Sequence, residues 1–528
     1  SLEYRSHTKE NEKLWAMIDF LYDDTRVLSE GQDSVDQTDG KIRPNRTRYW
    51  LRAMGSGDIF ESRWNYKYNL DYVSDQNFIR EFSNRMTGFD YTRDNSYSMF
   101  GRNFAEADEN RVTQGFAYRN YEKFYLTAGM KYTQDPNFGH GNLSHKYDTT
   151  VQHLPEFGLY WNRDKIVENF PLEWNMQANM GYYYRRFGTK GAKAELYPEV
   201  AYPVSLGFVR GEVAGRARGT AYTGISGKDT SLLNDLGSGE QQGSDTRFIP
   251  EFRSSFYAQA DRIWQFEQEN APVQENVGKR EMVALKHTVQ PRIAYEWIEH
   301  VDQEGNPFFT IEDRLQGKND LIVRLDNILT AKYSSVVRQK DGIGNNYSYR
   351  DFINLSVSTG FDFKEDSREK HVEVYERRPW HDLRTRLDFK PLKWINFHGD
   401  AYYSFYDGKL NRVDVGSTLF HNTYGSFRTS YSQREPNYNY RRFVNYDNVN
   451  DIVPSGKINV ITNTLSLKAS PELSLYIMER TNLDTGKSYE RVAGVGYKHQ
   501  CLYLYGEYTK DQIEERFSLN IEFLGLGF

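Results

Sequence analysis

The stretch Arg516-Phe517-Ser518-Leu519-Asn520-Ile521-Glu522-Phe523 alternates polar and apolar residues without a fault. Successive side chains of a strand point to opposite faces, so this stretch puts its polar residues on one face and its apolar residues on the other, where a helix would mix them. The pattern recurs upstream. Leu465 and Leu467 alternate with Thr464, Ser466 and Lys468, and Leu473, Leu475 and Ile477 alternate with Glu472, Ser474 and Tyr476. Asp382, Arg384, Arg386 and Asp388 interleave with Leu383, Thr385, Leu387 and Phe389. A face carrying full charges needs water, and its apolar opposite needs lipid or a second sheet.

Composition narrows the choice. The chain has 528 residues with 40 Tyr, 32 Phe and 9 Trp, yet only 38% of it is hydrophobic. Its mean hydropathy is −0.78. Many aromatics with a soluble-looking average is what a transmembrane β-barrel produces, because only alternate residues face lipid while aromatic girdles line both interfaces. Disordered chains are poor in aromatics. A nucleic-acid binder should be basic, and here 67 Lys+Arg stand against 73 Asp+Glu, a net charge of −6. Helical spanning needs about 18 consecutive apolar residues. The longest charge-free run, Val415–Phe427, is broken by Gly416, Ser417, Thr418, His421 and Asn422.

Connections point the same way. Asn169–Glu173, Phe389–Lys393 and Ala469–Glu472 each place a proline between two strand-like runs, and its fixed φ and missing N–H suit a turn. Between them lie longer polar stretches: Ser29–Arg48, Tyr132–Thr149, Gly227–Arg247, Gln268–Arg280, Glu299–Asn319 and Ser432–Gly456. Short turns on one side and long loops on the other describe an outer-membrane barrel, turns periplasmic and loops outside. The expectation is an all-β fold: one large antiparallel transmembrane β-barrel over residues 1–528, with roughly 24–26 strands. Two other classes share the composition. A large porin or a nutrient- or siderophore-uptake barrel would need a plug or an inward loop, and a secreted all-β glycan-binding or glycan-active protein would stay soluble without detergent.

No catalytic signature is present: the H-E-x-x-H, G-x-x-x-x-G-K-[ST] and G-x-S-x-G patterns are all missing. Gly486-Lys487-Ser488 resembles the end of a phosphate loop, but Thr481 stands where its first glycine belongs. Asp33–Gly40 lacks the ligand spacing and terminal Glu of a calcium loop. Neither His140 with His145 nor His381 with His398 has a nucleophile at a recognisable spacing. Neither an enzyme nor a cofactor or metal site is expected. The pairs Arg185-Arg186, Arg377-Arg378 and Arg441-Arg442 read as solvated loop or lumen charges. Their functional alternative is contact with anionic sugar-phosphate groups, which guanidinium binds bidentately. The single cysteine, Cys501, excludes a disulfide within this chain.

Several passages resemble the LPS-assembly outer-membrane protein family, also called the organic-solvent-tolerance family. They are Met17–Asp24, Arg48–Leu51 and Tyr68–Asp75; Val151–Phe157 and Leu196–Pro203; His287–Tyr295 leading to Asp302-Gln303; and Cys501, Tyr508 and Phe517–Leu526. Their order runs along essentially the whole chain. The resemblance implies an outer-membrane barrel of a Gram-negative bacterium that inserts lipopolysaccharide into the outer leaflet. Sugars pass through the lumen and lipid leaves through a lateral gate between the first and last strands. On this chain the gate is the last strand, Arg516, Phe517, Ser518, Leu519, Asn520, Ile521, Glu522 and Phe523. Phe517, Leu519, Ile521 and Phe523 are expected to face lipid, and Arg516, Ser518, Asn520 and Glu522 the lumen. Leu2 and Tyr4 mark the N-terminal strand.

The resemblance further implies a plug lipoprotein in the lumen, a periplasmic lipopolysaccharide bridge reached through a jellyroll, and the barrel-assembly machinery as partners. The family carries that jellyroll before the barrel and prolines in its first strands, whereas the first proline here is Pro44, in a polar loop. The chain is accordingly expected to begin a strand or two inside the barrel, without the jellyroll. Cys501 is expected to form a disulfide to that missing N-terminal domain.

Overall fold

A computed structural model describes residues 2–9, 12–22, 46–59, 63–75, 78–81, 88–102, 110–138, 145–227, 243–266, 280–303, 306–310, 313–339, 342–367, 377–435, 457–500, 502–511 and 515–523. Among these residues the chain forms 24 strands hydrogen-bonded in one sheet. The strands begin with β1 (Leu2–Lys9), β2 (Glu12–Tyr22), β3 (Thr47–Asp58) and β4 (Asn65–Val73). Two helices follow, α1 (Phe78–Glu81) and α2 (Phe89–Phe100). Next come β5 (Arg111–Asn120), β6 (Phe124–Gln134), β7 (Gln152–Val167), β8 (Phe170–Tyr184), β9 (Lys190–Leu206) and β10 (Val209–Ser226). β11 (Gly243–Ala258) and β12 (Ala260–Gln265) are separated only at Gln259, and both pair with β13 (Arg280–Ile298). β14 (Lys318–Gln339) and β15 (Gly342–Asp362) form the longest hairpin, followed by α3 (Phe363–Ser367). The remaining strands are β16 (Leu383–Leu392), β17 (Ile395–Ser404), β18 (Lys409–His421), β19 (Gly425–Arg434) and β20 (Ile458–Lys468). They end with β21 (Leu473–Asn482), β22 (Ser488–Lys498), β23 (Leu502–Asp511) and β24 (Glu515–Phe523). This is the all-β, antiparallel fold class of a large barrel, with a strand number at the lower end of the expected range. No helix among the described residues is long and apolar enough to cross a membrane.

Two compact units divide the chain: Ser1–Tyr202 with Ala214–Phe252 and Ile298–Gly317, and Pro203–Val213 with Arg253–Trp297 and Lys318–Phe528. In the first, β2 pairs with β3 so that Trp15 meets Met54, Met17 meets Arg52 and Asp19 meets Trp50. That face is covered. Phe89 of α2 stacks on Trp50 at 6.4 Å, and Tyr91, Met99 and Phe100 pack against Trp15, Met17 and Met54. The opposite face of β2 leaves Ile18, Phe20 and Tyr22 exposed. α2 ends because Gly101 adopts φ 66°, a left-handed conformation glycine enters without strain, and its N–H caps the Tyr97 carbonyl at 2.9 Å.

In the second unit the pattern runs from hairpin to hairpin. Leu387 meets Gly399, Phe389 meets Phe397 with rings 5.9 Å apart, and on the other face Arg386 meets Asp400 and Asp388 meets His398. Val323, Leu325, Ile477, Val495, Phe517 and Leu519 form part of an extensive exposed apolar surface. Apolar exposure on this scale requires a non-aqueous surrounding.

Connections depart from the sequence reading in three respects. All three proline stretches meet short hairpin turns, at 168–169, 393–394 and 469–472, but Pro171 and Pro391 themselves lie inside β8 and β16. Each falls where the register slips, between Lys165 and Val167 on the partner strand and between Phe389 and Leu392, so no ladder N–H is demanded of it. The long and short connections also segregate less cleanly. Taken alternately along the chain, Gln268–Arg280 falls in the set of short turns, and most of it lies outside the described residues. The tight connections 405–408 and 483–487 fall in the set of long loops. Finally, Glu299–Asn319 is not simply a solvated loop: Asn306, Phe308, Phe309 and Asp313 are buried.

Candidate functional site

Alternation carries β24 through the expected last strand. Phe517, Leu519 and Ile521 are exposed on one face, and Arg516 and Ser518 are half-buried on the other. β23 pairs with it from Lys510–Glu515 to Leu502–Phe523. The side chains of Asn520, Glu522 and Phe523, and all of Cys501, Leu524 and the last residues, lie outside the described residues. At the other terminus Leu2 and Tyr4 are exposed on β1, which pairs with β2.

The strongest departures from sequence expectation are in the first unit, where charged side chains are buried under chain that folds back on the polar face. Arg48 and Asp75 are fully buried and joined by two hydrogen bonds of 2.9 Å. Arg52 reaches Asp19 at 2.7 Å and lies 3.9 Å over the Trp50 ring. Glu199, also buried, accepts from Arg163 at 3.0 Å, Asn175 at 2.9 Å and Arg216 at 2.8 Å. Three donors on its two oxygens make the buried charge of Glu199 tolerable, whereas among the described residues Asp19 Oδ1 and Arg52 Nε are left without a hydrogen-bond partner.

A second cover is the strap between β13 and β14. Phe309 stacks on Tyr183 at 4.9 Å and tilts against Tyr222 at 6.1 Å. Asp313, fully buried, accepts the Phe309 and Thr310 N–H groups at 2.9 Å and the Lys193 ammonium at 3.0 Å. Arg247 donates to the Asp313 carbonyl at 2.6 Å and to Gln303 at 2.8 Å. Arg185 donates to the Phe308 and Phe309 carbonyls at 2.9 and 2.6 Å. Arg185 is therefore neither a solvated charge nor a phosphate contact; the strap backbone occupies its guanidinium, while Arg186 stays exposed.

Arg378 is likewise engaged, donating to both Asp407 carboxylate oxygens at 2.6 and 2.8 Å. That hydrogen bonding holds the Asp407 carboxyl down at about 2. Arg377 donates to the Asp366 carbonyl at 3.1 Å. Arg441-Arg442, Asp33–Gly40 and His140 lie outside the described residues, as does the side chain of His145. His381 and His398 belong to different settings: His398 sits on β17 opposite Asp388, and His381 is held beside Gly360 of β15.

Strands with one charged and one exposed apolar face, antiparallel throughout the described pairs, define the class: a large outer-membrane β-barrel protein. The family model described as LptD, LPS transport system D, matches residues 46–464. The chain belongs to that family. No curated protein matches it. Among solved structures, the siderophore receptor PirA from Pseudomonas aeruginosa is 8% identical, with 78% of this chain and 76% of that one covered and a TM-score of 0.29. A mutant of the ferric enterobactin receptor PfeA from the same organism is 9% identical, with 76% and 65% covered and a TM-score of 0.31. Likenesses this remote say nothing about cargo.

Proposed function

We propose that this chain is the translocon that inserts lipopolysaccharide into the outer leaflet, and not an enzyme. The observation that carries the reading is the family match over residues 46–464. In this reading the polar face lines a lumen that conducts the sugar-phosphate portion, and the exposed apolar face meets lipid. The acyl chains leave sideways between the N-terminal strand and β24. Every ladder bond lost in hydrocarbon exposes polar backbone at several kcal/mol, so an ordinary barrel keeps its seam closed, and a transporter needs one weak enough to part under load. Arg516, Ser518, Asn520 and Glu522 would flank the polar path, and Phe517, Leu519, Ile521 and Phe523 the lipid. The alternation and the exposure of Phe517, Leu519 and Ile521 support this assignment.

The same reading brings in a lipoprotein plugging the lumen, a jellyroll that receives lipopolysaccharide from a periplasmic bridge, and the barrel-assembly machinery. Cys501 would pair with a cysteine of the jellyroll. The test is a photo-crosslinking residue at Asn520 of the intact protein in cells. Lipopolysaccharide should attach there and not at control positions on the exposed apolar face of β17. Absence of any adduct at Asn520, with the protein folded and abundant, rejects lateral exit along β24.

A further inference from the structure

At one end of the β14–β15 hairpin, two aspartates stand directly opposite each other. Asp320 and Asp362 are register partners, and each is 7% exposed. Like charges directly across a ladder destabilise it, and burial raises the cost because water no longer screens them. A histidine completes the group: ligand atoms of Asp320, Asp362 and His381 lie within 4.8 Å of one another.

The histidine is placed by the backbone. Its N–H donates to the Gly360 carbonyl at 2.8 Å, and its carbonyl accepts from Thr359 Oγ1 at 2.9 Å. The imidazole lies so close over β15 that a Cβ at position 360 would meet its Nδ1 at 2.9 Å. Glycine is what lets the ring approach the two carboxylates. Asp362 is oriented in turn, accepting the Glu365 N–H at 2.9 Å through Oδ1. Support of this kind behind a ligand is typical of metal sites, whose outer partners fix ligand orientation. Lys318 forms an ion pair with Asp320 at 3.9 Å and a closer one with Glu296, so it is shared between the two carboxylates.

We propose that Asp320, Asp362 and His381 bind one divalent transition-metal ion, with Zn2+ the best match. One imidazole and two carboxylates suit a small borderline ion, with a further position open to water. Ca2+ takes six to eight oxygen ligands and makes no use of a nitrogen donor. The ion would tie β14 and β15 to the segment entering β16. This site is independent of lipopolysaccharide passage.

The full chain, purified in detergent and stripped with EDTA, is titrated with ZnCl2 and, in parallel, CaCl2 in equilibrium dialysis. One tightly held Zn2+ per chain is expected, lost in His381→Gln and in Asp362→Asn and retained in His398→Gln, which removes a histidine from β17. Heat-modifiable migration on gels reports folding, and Asp320→Asn serves where either variant misfolds. Three results overturn the proposal: no zinc on the wild-type chain, zinc unchanged in the folded His381→Gln or Asp320→Asn chain, or Ca2+ displacing Zn2+ at equal concentration.

Discussion

β2–β4 and β16–β18 are built from the same alternation, yet the two regions treat their charges differently. On β2–β4, α2 covers the polar face, and Arg48, Arg52 and Asp75 are almost wholly withdrawn from water. On β16–β18, Arg384 and Arg386 share Asp400 at 2.6 and 3.3 Å while remaining a third to a half exposed. What differs is the connecting chain: the first region is followed by a helix that folds back over it, the second by tight turns. Strand pairing therefore makes a charged face, and separate insertions decide whether its charges become structural.

That contrast can be broken most severely at the strap. Asp313→Ala should cost about 3–5 kcal/mol, because it takes from the buried Lys193 ammonium the nearer of its two carboxylates, leaving only Glu195 at 3.3 Å, and strips the Phe309 and Thr310 N–H groups of their acceptor. Expected readouts are a lower urea midpoint and new protease cleavage between residues 298 and 317. An unchanged midpoint would show that the strap does not hold its charges as described. By contrast, Arg384→Gln removes a partly solvated pair and should cost no more than about 1 kcal/mol, with a correspondingly small shift of the urea midpoint. A loss as large as that of Asp313→Ala would erase the distinction between the two regions.

The smallest effect is a pH dependence at the hairpin 405–408. Arg378 depresses the Asp407 carboxyl to about 2, below the roughly 3.9 of an unfolded aspartate. A depressed carboxylate stabilises the fold above its unfolded value and loses that contribution as pH falls through its folded one. Wild type and Asp407→Asn should therefore differ slightly in melting temperature at pH 5 and converge towards pH 2. A gap that widens on acidification contradicts the sign.

Alternation was legible because it is local: the reading of Arg516–Phe523 matches β24, and that of Leu383–Phe389 falls within β16. The covers were not. Phe89, Thr92 and Ser96 recur at helical spacing before Gly101, a signal outweighed by the surrounding polar residues. Phe308-Phe309 is an apolar pair in an otherwise polar stretch, and that anomaly could have marked the strap. Arg185 gave no warning, because the carbonyls it serves lie more than a hundred residues away along the chain. Nor does an isolated His381 reveal two aspartates brought to it by strand register.

The strap also bears on the order in which the chain can be finished. Arg185 and Lys193 acquire their partners from residues 308–313, separated from them by 120 or more positions. As the chain emerges from its N-terminus, β8 and β9 can pair with each other long before residues 308–313 exist. Until then two cations on that sheet must stay hydrated, so its polar side cannot dry. Insertion of these strands is thus chemically incomplete until the strap that follows β13 has been delivered, and a chain stalled before that point would present an unfinished polar surface to whatever surveys folding.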